Sequence, residues 1–351
     1  MEARELIAGS AALSGGQGHE AYEALIAEAS RRSLFCRTYW RYAFCAGAAL
    51  AGTAASLYAL TLTPNLLFQF INAIIFGFFS VQLGMIGHDL SHGEVFVSRR
   101  INRLCSSFTW GLGSGLSEFR WFEKHNRHHL RPNHVGHDPD LDIPFMFGVE
   151  QVKAAPDYLR QWVLPRQHIW FWPALSAVYP WNIMYSMRYY LRVRSSLALA
   201  ELALVVVHFV ILGYLVFTFL PFATALVFLV TTFAVAGAYM GLVFAPNHKG
   251  RPELAPGQEF SWVHQILLTR DLRPSWVIFY LFGGLNFQIE HHLFPTMSRF
   301  KYRQAYDLVR AYCKRAGIEH HETTWLSSLR EMHLALRTQA HAQRGRYSSS
   351  G

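Results

Sequence analysis

From Tyr42 to Gly87, and again from Leu202 to His248, the chain contains no Asp, Glu, Lys or Arg. A spanning helix needs about 20 apolar residues, so each stretch is long enough for two. Each also has a break near its middle, at Thr63-Pro64-Asn65 and at Leu220-Pro221. Proline fits poorly inside a helix and well at a turn or a first helical position. The expectation is four transmembrane helices, at about 42–62, 66–87, 199–219 and 222–245, paired into two hairpins. Buried helices of a soluble core are the competing reading, and charge-free runs of this length count against it.

Only 16% of the residues are charged, where a soluble domain has about 25%. Both hairpin turns are uncharged, while Arg31, Arg32, Arg37, Arg41, Arg99, Arg100 and Arg103 lie close to span ends. The positive-inside bias then places both termini and the long middle segment in the cytoplasm. A net charge of +9 suits an anionic leaflet surface. Nucleic acid is excluded as a partner because the basic residues flank spans and form no separate module. Cys36, Cys45, Cys105 and Cys313 form no CxxC pair and read as reduced thiols. Met1–Glu20 has no signal-peptide core. Residues 1–30 are read as a disordered or lead-in segment, with an amphipathic helix beginning near 21 and reaching 41. Residues 31–335 form one membrane domain, and 336–351 a disordered tail.

The 18 histidines are unevenly placed. His88-Asp89-Leu90-Ser91-His92 follows the second span. His125-Asn126-Arg127-His128-His129 comes next, Asn247-His248 follows the fourth span, and Gln288-Ile289-Glu290-His291-His292 comes last. Residues three or four apart share a helix face, so His88 and His92 can share a metal. His125 shares a face with His128 and His129, whose rings can diverge toward two metals. All four groups fall at the same ends of the expected spans. Eight imidazoles exceed what one four-coordinate zinc takes and suit two metals of higher coordination. Imidazole alone leaves the metal open among iron, zinc, copper and nickel. His134, His137, His168, His208, His264, His320 and His321 lack such company and read as ordinary hydrogen-bonded residues.

HxxxH, HxxHH and QxxHH in this order resemble the three boxes of membrane fatty acid desaturases. Gly283-Gly284-Leu285-Asn286-Phe287-Gln288-Ile289-Glu290-His291-His292-Leu293-Phe294-Pro295 is similar to the front-end, linoleoyl-type branch. The resemblance covers about residues 30–335. It implies an all-α integral-membrane fold in which a cytoplasmic helical cap carries the boxes. It also implies two iron ions held by His88, His92, His125, His128, His129, His248, His291 and His292, with O2 as co-substrate. Many eukaryotic members carry a fused haem-binding domain with a His-Pro-Gly-Gly motif, which this sequence does not contain. A separate electron donor is therefore expected, either a ferredoxin with its reductase or a free cytochrome.

Asp89 and Glu290 adjoin the box histidines and are expected to orient an imidazole through its second nitrogen. Asp140 is expected in the same role ahead of Asp138 and Asp142, and Asn247 and Asn286 to hold a metal-bound water. Gln288 stands where the second box has a histidine, and is expected as a weak or water-bridged ligand through its oxygen. The implied activity is O2-dependent desaturation of a fatty acyl chain in or at the lipid bilayer. A hydroxylase or acetylenase on the same scaffold is the alternative within the class. A non-catalytic metal-binding membrane receptor is the alternative outside it. A transporter would show paired repeats and charged spans, whereas Glu201 lies only at a span edge.

Overall fold

The computed structural model describes residues 16–141 and 162–348; Asp142 lies outside them. Four helices are long and apolar enough to cross a membrane: Tyr39–Ala59, Leu66–Ser91, Ser196–Phe219 and Phe222–His248. The expected four spans are present, and the ends of the second and fourth differ in an instructive way. Both helices continue past the apolar stretch, so His88 and His248 are part of their last turns. Helical hydrogen bonding does not stop where hydropathy falls, and His92 N still bonds to His88 O at 3.1 Å.

The chain divides into two compact units. Residues 37–123 and 173–242 form one; the remaining described residues form the other. In the first, the helices of both hairpins share an apolar core that includes Leu60, Phe76, Leu212, Val216 and Phe228. The turn between the first two spans is built by Asn65, whose side chain accepts from Phe68 N at 3.0 Å and caps the second span. Ser56, Gln69 and Asn72 are buried between those spans. Asn72 donates to Ser56 O and to Gln69 Oε1, each at 3.0 Å, and Gln69 donates to Thr63 O at 2.7 Å. Polar groups that would be costly in lipid are thereby satisfied between helices. The second and fourth spans approach closely at Gly77, where a Cβ would stand 2.9 Å from Thr232 O. The outward faces carry large apolar side chains, among them Leu67 at 68% and Val230 at 66% exposure. A soluble monomer does not present such continuous apolar surface.

In the other unit, helix Gly16–Arg31 packs Leu25 and Ala29 into a core with Ile266, Phe287, Leu293, Phe294, Tyr302 and Tyr306. Tyr22 Oη donates to Leu293 O at 2.7 Å. The expected lead-in helix reaching residue 41 is instead interrupted after Arg31, with Ser33 at φ 55°. That left-handed residue ends the helix and separates it from the first span. Helix Tyr302–Ala316 ends on Gly317 at φ 67°, and Ile318 N then bonds back to Cys313 O. Asp271–Leu272 and Glu322–Thr323 pair as a two-residue parallel ladder. The last helix runs Trp325–Ser348, past the tail boundary set at residue 336 by composition.

Candidate metal centre

The second box lies on helix Glu118–Leu130, and His248 on the last turn of the fourth span. The third box occupies the short helix Gln288–Leu293. Gly283 and Gly284, at φ 58° and 82°, make the turn that delivers that helix. At Gly284 a Cβ would also press to 2.9 Å from Arg299 Cβ, so glycine is required there twice over.

One ligand atom each from His128, His248 and His292 lies within 4.8 Å of the other two. His128 Nε2 is 3.3 Å from His248 Nε2. His125 and His129 join the second box through Nε2 atoms 2.9 Å apart, and the His129 ring lies 4.6 Å from that of His291. His88 and His92 belong to the other unit, with ring centroids 4.8 Å apart.

The second nitrogens of several rings are held. His128 Nδ1 is 3.0 Å from both oxygens of Asp138. His291 Nδ1 is 3.0 Å from Tyr302 Oη, and His292 Nδ1 is 2.9 Å from Gln265 Oε1. His88 Nδ1 is 3.1 Å from Asp89 Oδ1. A carboxylate or amide oxygen at Nδ1 accepts the ring proton there, which leaves Nε2 as the ligand atom and raises its basicity, and the Tyr302 hydroxyl can accept in the same way. Close imidazoles without an intervening acid repel when protonated and suit a cation when neutral. This donor set therefore fits a transition metal, on chemistry alone.

A profile of the fatty acid desaturase family matches residues 64–324. This chain belongs to the fatty acid desaturase family. Fatty acid desaturase 3 of Bos taurus is 30% identical over 263 residues, which cover 73% of this chain and 58% of that protein. The Delta(5) fatty acid desaturase fat-4 of Caenorhabditis elegans is 32% identical over 268 residues, covering 71% and 59%. The Delta(8)-fatty-acid desaturase 2 of Arabidopsis thaliana is 27% identical over 326 residues, covering 87% and 71%. The chain thus spans under two thirds of the length of the first two relatives.

Within this desaturase-family chain, the residues expected around the histidines are sorted by the tertiary structure. Asp89 lies against His88 Nδ1, at 3.1 Å. Asp138 rather than Asp140 is the close partner of His128, since Asp140 Oδ2 stands 3.5 Å away and its carboxylate pairs with Lys124. Burial disfavours a charged His128 ring, but the Asp138 and Asp140 carboxylates outweigh it and raise its pKa. Among the described residues, neither Glu290 carboxylate oxygen hydrogen-bonds to a box histidine. Glu290 is buried beside Asp271 and His320, with His320 Nε2 3.3 Å from Asp271 Oδ2 and 3.9 Å from Glu290 Oε1. Burial, then the Asp271 charge, pushes the Glu290 carboxyl well above its usual range. Burial lowers the His320 pKa, but the nearby Asp271 and Glu290 carboxylates outweigh it and push it up to about 10.

Gln288 is turned differently from the expectation. Asn247 Nδ2 is 3.2 Å from Val243 O, 3.1 Å from Leu285 O and 3.0 Å from Gln288 Oε1. Two carbonyls identify that atom as the Asn247 nitrogen, so the Gln288 atom it meets is the oxygen. Gln288 Nε2 then faces His248 Nε2 at 3.0 Å. Asn286 is fully buried, and among the described residues neither of its amide atoms is hydrogen-bonded.

Tyr302, Gln265 and Asn133 were missed by sequence reasoning. Asn133 adopts φ 53°, which asparagine tolerates. Its Nδ2 donates to His248 O at 3.0 Å and Leu268 O at 3.1 Å, and its N to Asp138 Oδ2 at 2.7 Å. It thereby ties the loop after the second box to the end of the fourth span. An Asn after HxxHH is a turn signal; its long-range partners lie over a hundred residues away and leave no local trace.

Proposed function

We propose that this chain is an O2-dependent di-iron desaturase that introduces a cis double bond into a fatty acyl chain. The observation that supports it most is the set of imidazoles held through their second nitrogens by Asp89, Asp138, Gln265 and Tyr302. In this reading His88, His92, His125, His128, His129, His248, His291 and His292 hold two irons. Asp89 and Asp138 keep their imidazoles basic and fixed in direction. Asp140 keeps Lys124 paired beside that site. Asn247 holds the Gln288 oxygen, so Gln288 stands beside the ligands without joining them. Glu290 supports the third box through Asp271 and His320.

When bound, the irons supply the strong oxidant that breaking unactivated C–H bonds requires and that no side chain provides. Two hydrogens leave adjacent methylenes, while O2, two electrons and two protons complete two waters. The protein's share is to hold one carbon–carbon bond beside the histidines and keep water away. The electrons come from a separate carrier, a ferredoxin with its reductase or a free cytochrome. The net charge of +9 favours an acidic carrier, and that attraction weakens with salt. The boxes and both termini face the cytoplasm, as arginines flanking the spans and uncharged hairpin turns argue.

Cells expressing the chain, analysed by gas chromatography with mass spectrometry, should contain a new unsaturated acyl species that needs O2. Purified protein should hold about two irons per chain. A hydroxylated product would assign the scaffold to the other chemistry. Tightly bound zinc without iron, from iron-replete cells, would end the di-iron reading.

A further inference from the structure

The third span begins at Ser196, and Glu201 lies just over one turn into it. The residue is 2% exposed. An ionisable group within a span is expensive to bury and is normally kept for a purpose. The carboxylate has four donors. Ser117 Oγ and Tyr190 Oη each donate to Oε2 at 2.9 Å. Glu118 N and Phe119 N donate to Oε1 at 2.5 and 3.3 Å.

Those two amides open helix Glu118–Leu130, the element bearing His125, His128 and His129. Ser117 is its N-cap, since Trp121 N bonds to Ser117 O at 3.1 Å and Arg120 N to Ser117 Oγ at 3.2 Å. The first helical amides of any helix have no partner within it. Here Ser117 takes the third and Glu201 the first two. A carboxylate at this end also opposes the positive pole of the helix dipole. Ser117 N is itself held by Ser186 Oγ at 3.1 Å, and Arg120 by Asn182 Oδ1 at 2.7 Å. The start of the helix is therefore fixed in place along its axis and about it.

We infer that Glu201 is a positioning residue for the second histidine box. It acts through the helix, not on substrate or metal. By anchoring the first turn it sets the register at which the three imidazoles, two to three turns on, are presented. Its consequence for metal binding rests on the proposed di-iron reading; the anchoring itself does not.

The test uses the full chain in detergent or nanodiscs, as wild type, Glu201→Gln, Glu201→Leu and Ser117→Ala. Amide hydrogen exchange is followed over residues 118–130, alongside cobalt(II) titration of the metal-free protein and its ligand-field spectrum. Glu201→Leu should exchange at least tenfold faster over 118–124 and bind cobalt at least tenfold more weakly, with a shifted spectrum. Glu201→Gln should recover part of both, because its amide oxygen still accepts from Glu118 N and Phe119 N. Ser117→Ala should give an intermediate loss. If Glu201→Leu does not accumulate, the glutamine and alanine variants carry the test through their local exchange. Wild-type exchange in Glu201→Leu overturns the inference. So does an equal loss in the leucine and glutamine variants. In the glutamine and alanine variants alone, wild-type exchange in both overturns it too. A wild type that binds no metal ends the di-iron reading, and exchange still decides the role of Glu201.

Discussion

Replacing Asp138 by Asn separates the carboxylate that the structure places on His128 from the one that sequence spacing favours. Asp138 is 2% exposed. Its oxygens accept from Asn133 N at 2.7 Å and Asp140 N at 2.8 Å, and both face His128 Nδ1. An asparagine must turn its NH2 toward one of those two backbone N–H groups. One buried donor then loses its acceptor, at a cost of about 1–3 kcal/mol. The His128 ring also loses the charge that keeps Nε2 basic, and loss of such a partner weakens metal binding about 10–100-fold. Asp140→Asn should do much less. Asp140 is 35% exposed on its side chain and pairs with Lys124, an interaction worth at most about 1 kcal/mol, or roughly fivefold. Cobalt or iron titration gives the affinities, and thermal melting of the metal-free protein in detergent gives the stabilities. If Asp140→Asn weakens metal binding as much as Asp138→Asn, the assignment of His128's partner is wrong. If neither variant differs from wild type, the tethered-imidazole argument fails with it.

Tyr302→Phe removes the oxygen 3.0 Å from His291 Nδ1 and should lower metal affinity by about tenfold or more, read by the same titration. Gln288→Ile should keep the wild-type metal content and lose less than about tenfold in affinity; loss of one metal equivalent would mean that the amide oxygen is a ligand after all. His320 has a folded pKa pushed up to about 10 against about 6.5 in the unfolded chain. Its stabilisation is thus complete below about pH 6.5 and is lost as pH rises toward 10, by up to about 1.4 kcal/mol per pH unit. Glu290, with its raised carboxyl pKa, pushes stability the same way. His320→Gln should flatten that alkaline slope in thermal melts, and parallel slopes would refute the assignment. Asn72→Leu leaves Gln69 Oε1 without its donor and should destabilise the first hairpin by about 1 kcal/mol, measurable by steric trapping or thermal melting.

The sequence by itself determined the four spans, because hydrocarbon admits no unpaired charge and about 20 apolar residues are needed to cross it. It also picked out the clustered histidines of the boxes, because residues three or four apart share a helix face. Asp89 was legible because it is adjacent in the chain to the ring it meets. Only the tertiary structure decided the rest. Asp138 and Asp140 are alike in composition and position, and which one reaches His128 depends on the turn set by Asn133 at φ 53°. Tyr302 lies 11 residues from His291, Gln265 lies 27 from His292, and Glu201 lies 83 from Glu118. No periodicity links such pairs, since chain folding rather than helix geometry brings them together. The Gln288 orientation came from a third residue, Asn247, whose two carbonyl acceptors fix its amide. Spacing identifies the residue types that can bind a metal. Packing determines which neighbours hold those residues, and in which tautomer.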